Sequence, residues 1–290
     1  MRAAAVDDGK IVIEERPDPV PREGELLLRV RAAGINGADI AQRAGRYPPP
    51  PGATDVPGLE CAGEAEDGAR VMALLPGGGQ AELVTVDRRH VLPVPARFAW
   101  EQAGGFMEAF ATAHDALFTQ AQLQAGERLL VNGAAGGVGV AGVQLGLAAG
   151  ARVTANARHH HDELRALGAS TDVDGEYDVI LELVGGENLS TNLDRLALKG
   201  RVALIGLGAG AVAKVEFHRL MAKRGRIHGS TLRARSADEK AEVVARLGEF
   251  VAAHEQLTVP VEETFPLHRA QEAYERFRAG GKFGKVVVTT

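Results

Sequence analysis

The stretch Val131–Gly150, VNGAAGGVGVAGVQLGLAAG, restricts what this chain can fold into more than any other segment. With 36 glycines among 290 residues, glycine clusters arise by chance, so the weight rests on what flanks this one. An apolar strand pattern, Leu129 to Val131, leads straight into the turn, and a helical pattern leaves it. That order sets the N–H groups and the positive dipole end of a helix at the turn, where a pyrophosphate binds. Glycine is required because a Cβ would hold the phosphate away from the backbone. Ala134-Ala135-Gly136-Gly137-Val138-Gly139 matches GxGxxG at its second and third glycines, with Ala134 at the first. The segment reads as a dinucleotide-binding strand–turn–helix.

The end of the next strand discriminates between dinucleotides. NAD sites place an Asp or Glu there for the ribose hydroxyls. Here the chain runs Asn156-Ala157-Arg158-His159-His160-His161, with no acid before Asp162. Arg158 suits a 2′-phosphate through bidentate pairing, so NADPH is expected. The three consecutive histidines are not expected to hold a metal, because neighbours in a loop rarely converge on one ion. They line the adenosine-phosphate pocket or face solvent.

Two patterns organise the chain. The first hundred residues carry β-rich runs (KIVIEE, GELLLRVRAAGI, GARVMAL, AELVTVDRRHVLPVP) between Gly, Pro and Asp turns, which predicts a compact β-rich domain or barrel. Tyr47 to Gly58, YPPPPGATDVPG, is predicted as a surface loop, since proline lacks the backbone donor. From near Phe98, strand and helix patterns alternate through ERLLVNG, ARVTANA, YDVILELVG, GRVALIG and GRIHGST. Alternation of this kind predicts an α/β fold, a doubly wound parallel sheet covered on both faces. On this pattern alone, the final helix and strand, LHRAQEAYERFRAGGKFGKVVVTT, suit either domain.

Composition excludes several classes. A net charge of −5 argues against nucleic acid or an anionic membrane as main partner. The single cysteine, Cys61, permits no internal disulfide and no thiolate-rich structural zinc. No apolar run approaches the roughly 20 residues that span a bilayer. The charged N-terminus lacks an apolar signal core and reads as native and cytoplasmic.

VNGAAGGVG followed by GARVTA, LGA, DVILELVGG, GRVALIG and GKFGKVVV resembles the zinc-independent quinone oxidoreductases of the medium-chain dehydrogenase/reductase superfamily. AAGINGADIAQRAGRYPPPPG, VPGLECAG, GGGQAELVTVDRRHVLPVP and EAFATAHDAL extend the likeness over nearly the whole chain. The resemblance implies a GroES-like β-rich catalytic domain (residues 1–98 and 258–290) around a Rossmann NADPH-binding domain (99–257). Zinc-dependent members carry Cys and His where this chain has Asn36 and Leu59, neither of which makes a thiolate or imidazole bond to zinc. No metal is therefore expected. Asn36 and Tyr47 are implied beside the nicotinamide as the catalytic candidates, hydrogen-bonding the carbonyl or supplying a proton. Thr112 is implied at the carboxamide. Asn132, Ala135, Gly136, Gly137, Val138, Asn156, Arg158, Gly206 and Leu207 complete the expected cofactor contacts. Glu60 is read as structural, and Asp39 with Arg43 as a helix-surface pair.

Two departures touch the substrate side. ECAGEAEDGARVMAL lacks a turn and strand usual in the family, and FMEAFATAH replaces its Pro-containing approach to the threonine. The expected activity is hydride transfer from NADPH to a quinone or activated enone in a dry cleft between domains. The alternatives are an enoyl reductase acting on an acyl thioester and an NADPH-binding sensor with little turnover. No Tyr-x-x-x-Lys pair supports a short-chain dehydrogenase. Family members are commonly homodimers through their nucleotide-domain sheets, with GRIHGST as the pairing edge.

Overall fold

Short apolar runs between tight turns make strand the main regular structure of the N-terminal third of the chain. In the computed structural model, which describes residues 1–290, these are β1 (Arg2–Asp7), β2 (Lys10–Glu15) and β3 (Glu25–Gly34), then after helix α1 (Gly37–Arg43) β4 (Glu60–Ala65), β5 (Arg70–Leu74), β6 (Leu83–Asp87) and β7 (Val91–Pro93). Helices α2 (Trp100–Gly104) and α3 (Met107–His114) follow. An alternating region then runs β8 (Arg128–Asn132), α4 (Gly137–Ala148), β9 (Arg152–Asn156), α5 (His161–Ala166), β10 (Tyr177–Glu182), α6 (Asn188–Arg195), β11 (Leu196–Leu204), α7 (Phe217–Lys223) and β12 (Arg226–Gly229). The chain closes with α8 (Ala237–Ala253), β13 (Val261–Pro266), α9 (Ala270–Ala279) and β14 (Lys285–Thr289). No helix is long and apolar enough to cross a membrane.

These elements form two units: Met1–Ala111 with Leu232–Thr290, and Thr112–Thr231. The first unit is the expected GroES-like β-rich domain, built on a seven-stranded sheet ordered β13-β14-β3-β4-β5-β7, with β6 also paired to β3. The tail belongs here. Val286, Val288, Phe265 and Tyr274 share one core with Ala4, Ile11 and Ile35. Buried Tyr274 donates its hydroxyl proton to Gln80 Oε1 at 2.9 Å, as a polar handle in a core must. The shortened segment after β4 is a direct hairpin, closed by Gly68 at φ +81°.

The division falls elsewhere than at Phe98 and Leu257. Residues 99–111 stay with the first unit because α2 presses Gly104 onto Ala32, where a Cβ would meet the backbone at 2.7 Å. Helix α8 stays there too. His90 Nε2 bonds Ala237 O at 2.8 Å, Arg89 pairs with Asp238 at 2.6 Å, and Leu92 packs against Gly248. A helical pattern in sequence says which face is apolar, not which sheet receives it.

The second unit is the Rossmann domain, a parallel five-stranded sheet ordered β12-β11-β10-β8-β9. Helix α4 is apolar on every face apart from Gln144, and its glycines let it lie close to the sheet. Gly142 faces Leu181 and Gly146 faces Leu129, where any Cβ would overlap.

In the first unit, Phe106 is fully buried and stacks on Phe110 at 4.1 Å while touching Phe98 at 5.8 Å. Phe106→Ala is expected to cost about 3–5 kcal/mol, read as a lower denaturation midpoint.

Candidate active site

The glycine turn has the geometry a pyrophosphate needs. Gly133 takes φ +76°, and the N–H groups of Gly133 and Ala134 both donate to Asn156 O, at 3.0 and 3.1 Å. Gly136 caps α4, whose first intrahelical bond runs from Val140 N to Gly136 O at 2.8 Å. The N–H groups of Gly137, Val138 and Gly139 therefore have no acceptor within the helix. Ala135 to Val138 are half-buried, while Gly139 is sealed against Gly133 and Ala134, which leave no room for a side chain. These residues fit a dinucleotide phosphate.

Behind the turn sits Glu182, fully buried at the end of β10. Its carboxylate accepts five hydrogen bonds: from Asn132 Nδ2, Asn188 Nδ2, Asn192 Nδ2 and the N–H groups of Val184 and Gly185, all at 2.6–2.8 Å. Asn132 also accepts from Asn156 Nδ2 at 2.8 Å. The side chains of Asn132 and Asn156 thus order the ends of β8 and β9. Gly206 lies against Leu183 with no space for a Cβ, and Leu207 beside it is exposed.

Arg158 is exposed just beyond β9. The histidines turn to local partners: His160 Nδ1 to Glu163 Oε1 at 2.8 Å, His161 Nε2 to Ala157 O at 3.0 Å. No three His, Cys, Asp or Glu side chains stand close enough to hold a metal ion.

In the first unit Asn36 follows β3 and caps α1, and it is 8% exposed. Its Oδ1 accepts from Lys285 Nζ at 2.6 Å, and its Nδ2 donates to Glu60 Oε1 at 2.9 Å. Lys285 and Glu60 form a buried ion pair at 2.5 Å, and Glu60 Oε2 accepts from Glu108 N at 2.9 Å. Glu60 is thus fully engaged within the first unit. Gly34 makes room for this pair, since a Cβ there would strike both side chains.

Asp39 and Arg43 are not a surface pair. Both are buried, because α1 is covered on the face that carries them. Asp39 accepts from Asn36 N at 2.8 Å and Gly58 N at 3.0 Å, and Arg43 lies over the Tyr274 ring at 5.4 Å. Burial pushes the Asp39 carboxyl up to about 6 against the pull of those two donors and Lys285.

Tyr47 is half-buried at the head of the proline loop, held by a residue the sequence did not single out. Arg233, 3% exposed, lies over the Tyr47 ring at 5.3 Å and donates to Tyr47 O, Pro76 O and Gln42 Oε1 at 3.1, 2.8 and 2.6 Å. Thr112, on α3, belongs to the second unit. Arg233, Lys285, Lys240 and Glu108 escaped the sequence reading. For Glu108 and Lys285 the available signal was a lone charge in small or apolar surroundings, as in GGFMEAFATA and GKVVV, whereas Arg233 in TLRARS and Lys240 in ADEKAE offered none.

Known proteins agree with this architecture. Residues 22–96 match an alcohol dehydrogenase GroES-like domain, and residues 150–288 match a family described as zinc-binding dehydrogenase. The quinone oxidoreductase of Mus musculus is 31% identical, over 99% of this chain and 97% of its own. The solved quinone oxidoreductase of Thermus thermophilus, described together with its NADPH complex, is 32% identical with a TM-score of 0.87 over 100% of both chains. Polyketide synthase GfsB of Streptomyces halstedii is 32% identical over 92% of this chain, a stretch that is 5% of that protein.

A Rossmann unit carrying the glycine turn and a GroES-like unit carrying the buried Asn36 network define a medium-chain dehydrogenase/reductase. Within that class, the chain belongs to the quinone oxidoreductase family and is a nicotinamide-dependent reductase.

Lys285→Met would leave Glu60 buried without its cation and is expected to destabilise the fold by about 3–5 kcal/mol. Pairing it with Glu60→Gln should recover much of that loss in thermal melts, because no unpaired charge then remains.

Proposed function

We propose that the protein is a zinc-independent, NADPH-dependent reductase that delivers hydride to a quinone or an activated enone. The bound nicotinamide would supply the hydride. The observation that carries the reading is the fixing of Asn36 by Lys285 and Glu60, which holds an amide beside an ammonium where zinc-dependent relatives place a metal ligand. Leu59, at the other ligand position, is buried and offers no donor atom. The donor set therefore does not fit zinc. In its place, Asn36 hydrogen-bonds the cofactor or acceptor carbonyl, and Tyr47, held by Arg233, donates a hydrogen bond. Thr112, the turn residues Ala135 to Val138, Gly206 and Leu207 receive the cofactor, with Asn132 and Asn156 shaping the turn from behind.

NADPH over NADH rests on Arg158, exposed beyond β9 with no acid preceding it. NADPH complexes are described for the Thermus thermophilus relative and for mycobacterial Rv1454c, which support the choice. The similarity to a polyketide synthase favours a second reading, an enoyl reductase on an acyl thioester. NADPH absorbance followed with quinones, enones and enoyl thioesters separates the readings. Tight NADPH binding without oxidation by any acceptor would instead mark a binding protein. Arg158→Ala should weaken NADPH binding on the order of tenfold or more, as loss of a charge-assisted pair does, while leaving NADH nearly unchanged. Equal losses for both cofactors refute the 2′-phosphate role.

The same reading includes a homodimer through β12, which pairs with β11 on one edge only. The helix that precedes it in the chain, α7, exposes the large apolar side chains of Phe217 and Met221 at 73% and 74%. Light scattering should report a dimer for the native chain and a monomer for Phe217→Asp with Met221→Asp.

A further inference from the structure

Ligands of open parallel α/β sheets lie across the carboxyl ends of the strands, at the point where the strand order reverses. In the second unit that point falls between β8 and β10, since β9 lies on one side of β8 and β10, β11 and β12 on the other. The two residues facing each other there are Asn132 and Glu182, paired in register at the last positions of their strands.

Glu182 reaches three loops along that edge. Its Oε2 accepts from Asn132, Asn132 accepts from Asn156 Nδ2, and Asn156 O holds the N–H groups of Gly133 and Ala134 where the glycine turn begins. Its Oε1 accepts from Val184 N at 2.6 Å and Gly185 N at 2.8 Å, which folds the loop after β10 back onto the strand end. Its main-chain carbonyl accepts from Ile205 N and Gly206 N at 3.0 and 3.1 Å, which fixes the start of the loop after β11. The last two loops are also tied to each other, Ala209 N to Val184 O at 2.8 Å and Gly186 N to Gly210 O at 2.9 Å. The expected cofactor contacts Asn132, Asn156 and Gly206 therefore all hang on one residue.

We propose that Glu182 is a positioning residue for the dinucleotide, holding the loops after β8, β10 and β11 in their binding arrangement before the cofactor arrives. This role rests on the nicotinamide-cofactor reading above. Only a carboxylate accepts all five of the side-chain and backbone donors aimed at it. A glutamine offers one oxygen, and its NH2 group meets donors on either side. The carboxylate has the same sign as a pyrophosphate and gives it no attraction, so what Glu182 contributes to affinity is order. Segments that must be ordered on binding subtract their conformational entropy from the affinity.

The test is Glu182→Gln, read below its thermal transition, with NADPH and NADH each titrated by nucleotide fluorescence. Affinity for both is expected to fall by a common factor on the order of tenfold, because ordering the loops then falls on the binding step. Hydrogen exchange followed by NMR in the cofactor-free variant should quicken at Gly133, Ala134, Val184, Gly185 and Gly206. The sheet strands should keep their rates, which a general loss of stability would raise as well. A folded variant that binds both nucleotides as the native chain does, or that loses NADPH alone, overturns the role. Where Glu182→Gln does not fold, Asn192→Ala takes its place, since it removes one donor to Glu182 and an acceptor for Asn132 without touching an expected cofactor contact. It should weaken both nucleotides severalfold, and native affinity for both overturns the role. The native chain supplies a reading that needs no variant: slow exchange at the same N–H groups without cofactor supports the role, and fast exchange there until NADPH is added overturns it. A native chain that binds neither nucleotide overturns the cofactor reading and this role with it.

Discussion

One buried ion pair holds the first unit in register. Glu60 and Lys285 come from distant parts of the chain, and neither tolerates burial without the other. The remaining capacity of the Glu60 carboxylate is filled by Asn36 Nδ2 and Glu108 N. The end of β3, strand β4, the start of α3 and the last strand are thereby fastened to a single side chain. The cation that pairs with the fully buried Glu60 arrives 225 residues later in the chain.

The second unit uses the same device with a different donor set. Glu182 lacks a cation and is satisfied by three amide side chains and two backbone N–H groups. Charge-assisted hydrogen bonds of this number substitute for an ion pair in offsetting desolvation. Through Asn132 and Asn156 the network reaches the carbonyl that anchors Gly133 and Ala134. A pyrophosphate turn must hold its N–H groups in place before the ligand arrives, since ordering them on binding would subtract from affinity.

The glycine turn was legible in sequence because sterics dictate it: only small residues fit between strand, helix and phosphate. The parallel sheet was legible from alternation, and the assignment of the tail from the family likeness. Burial of charge was not. Asp39 and Arg43 have the spacing of a solvated helix pair, and only the covering of α1 by Gly58 and Tyr274 makes them interior. Likewise α8 has an amphipathic pattern that serves equally well on either sheet. His90 and Arg89, far away in sequence, decide the matter. Arg233 was silent for the same reason, since all three of its hydrogen-bond acceptors lie more than 150 residues upstream.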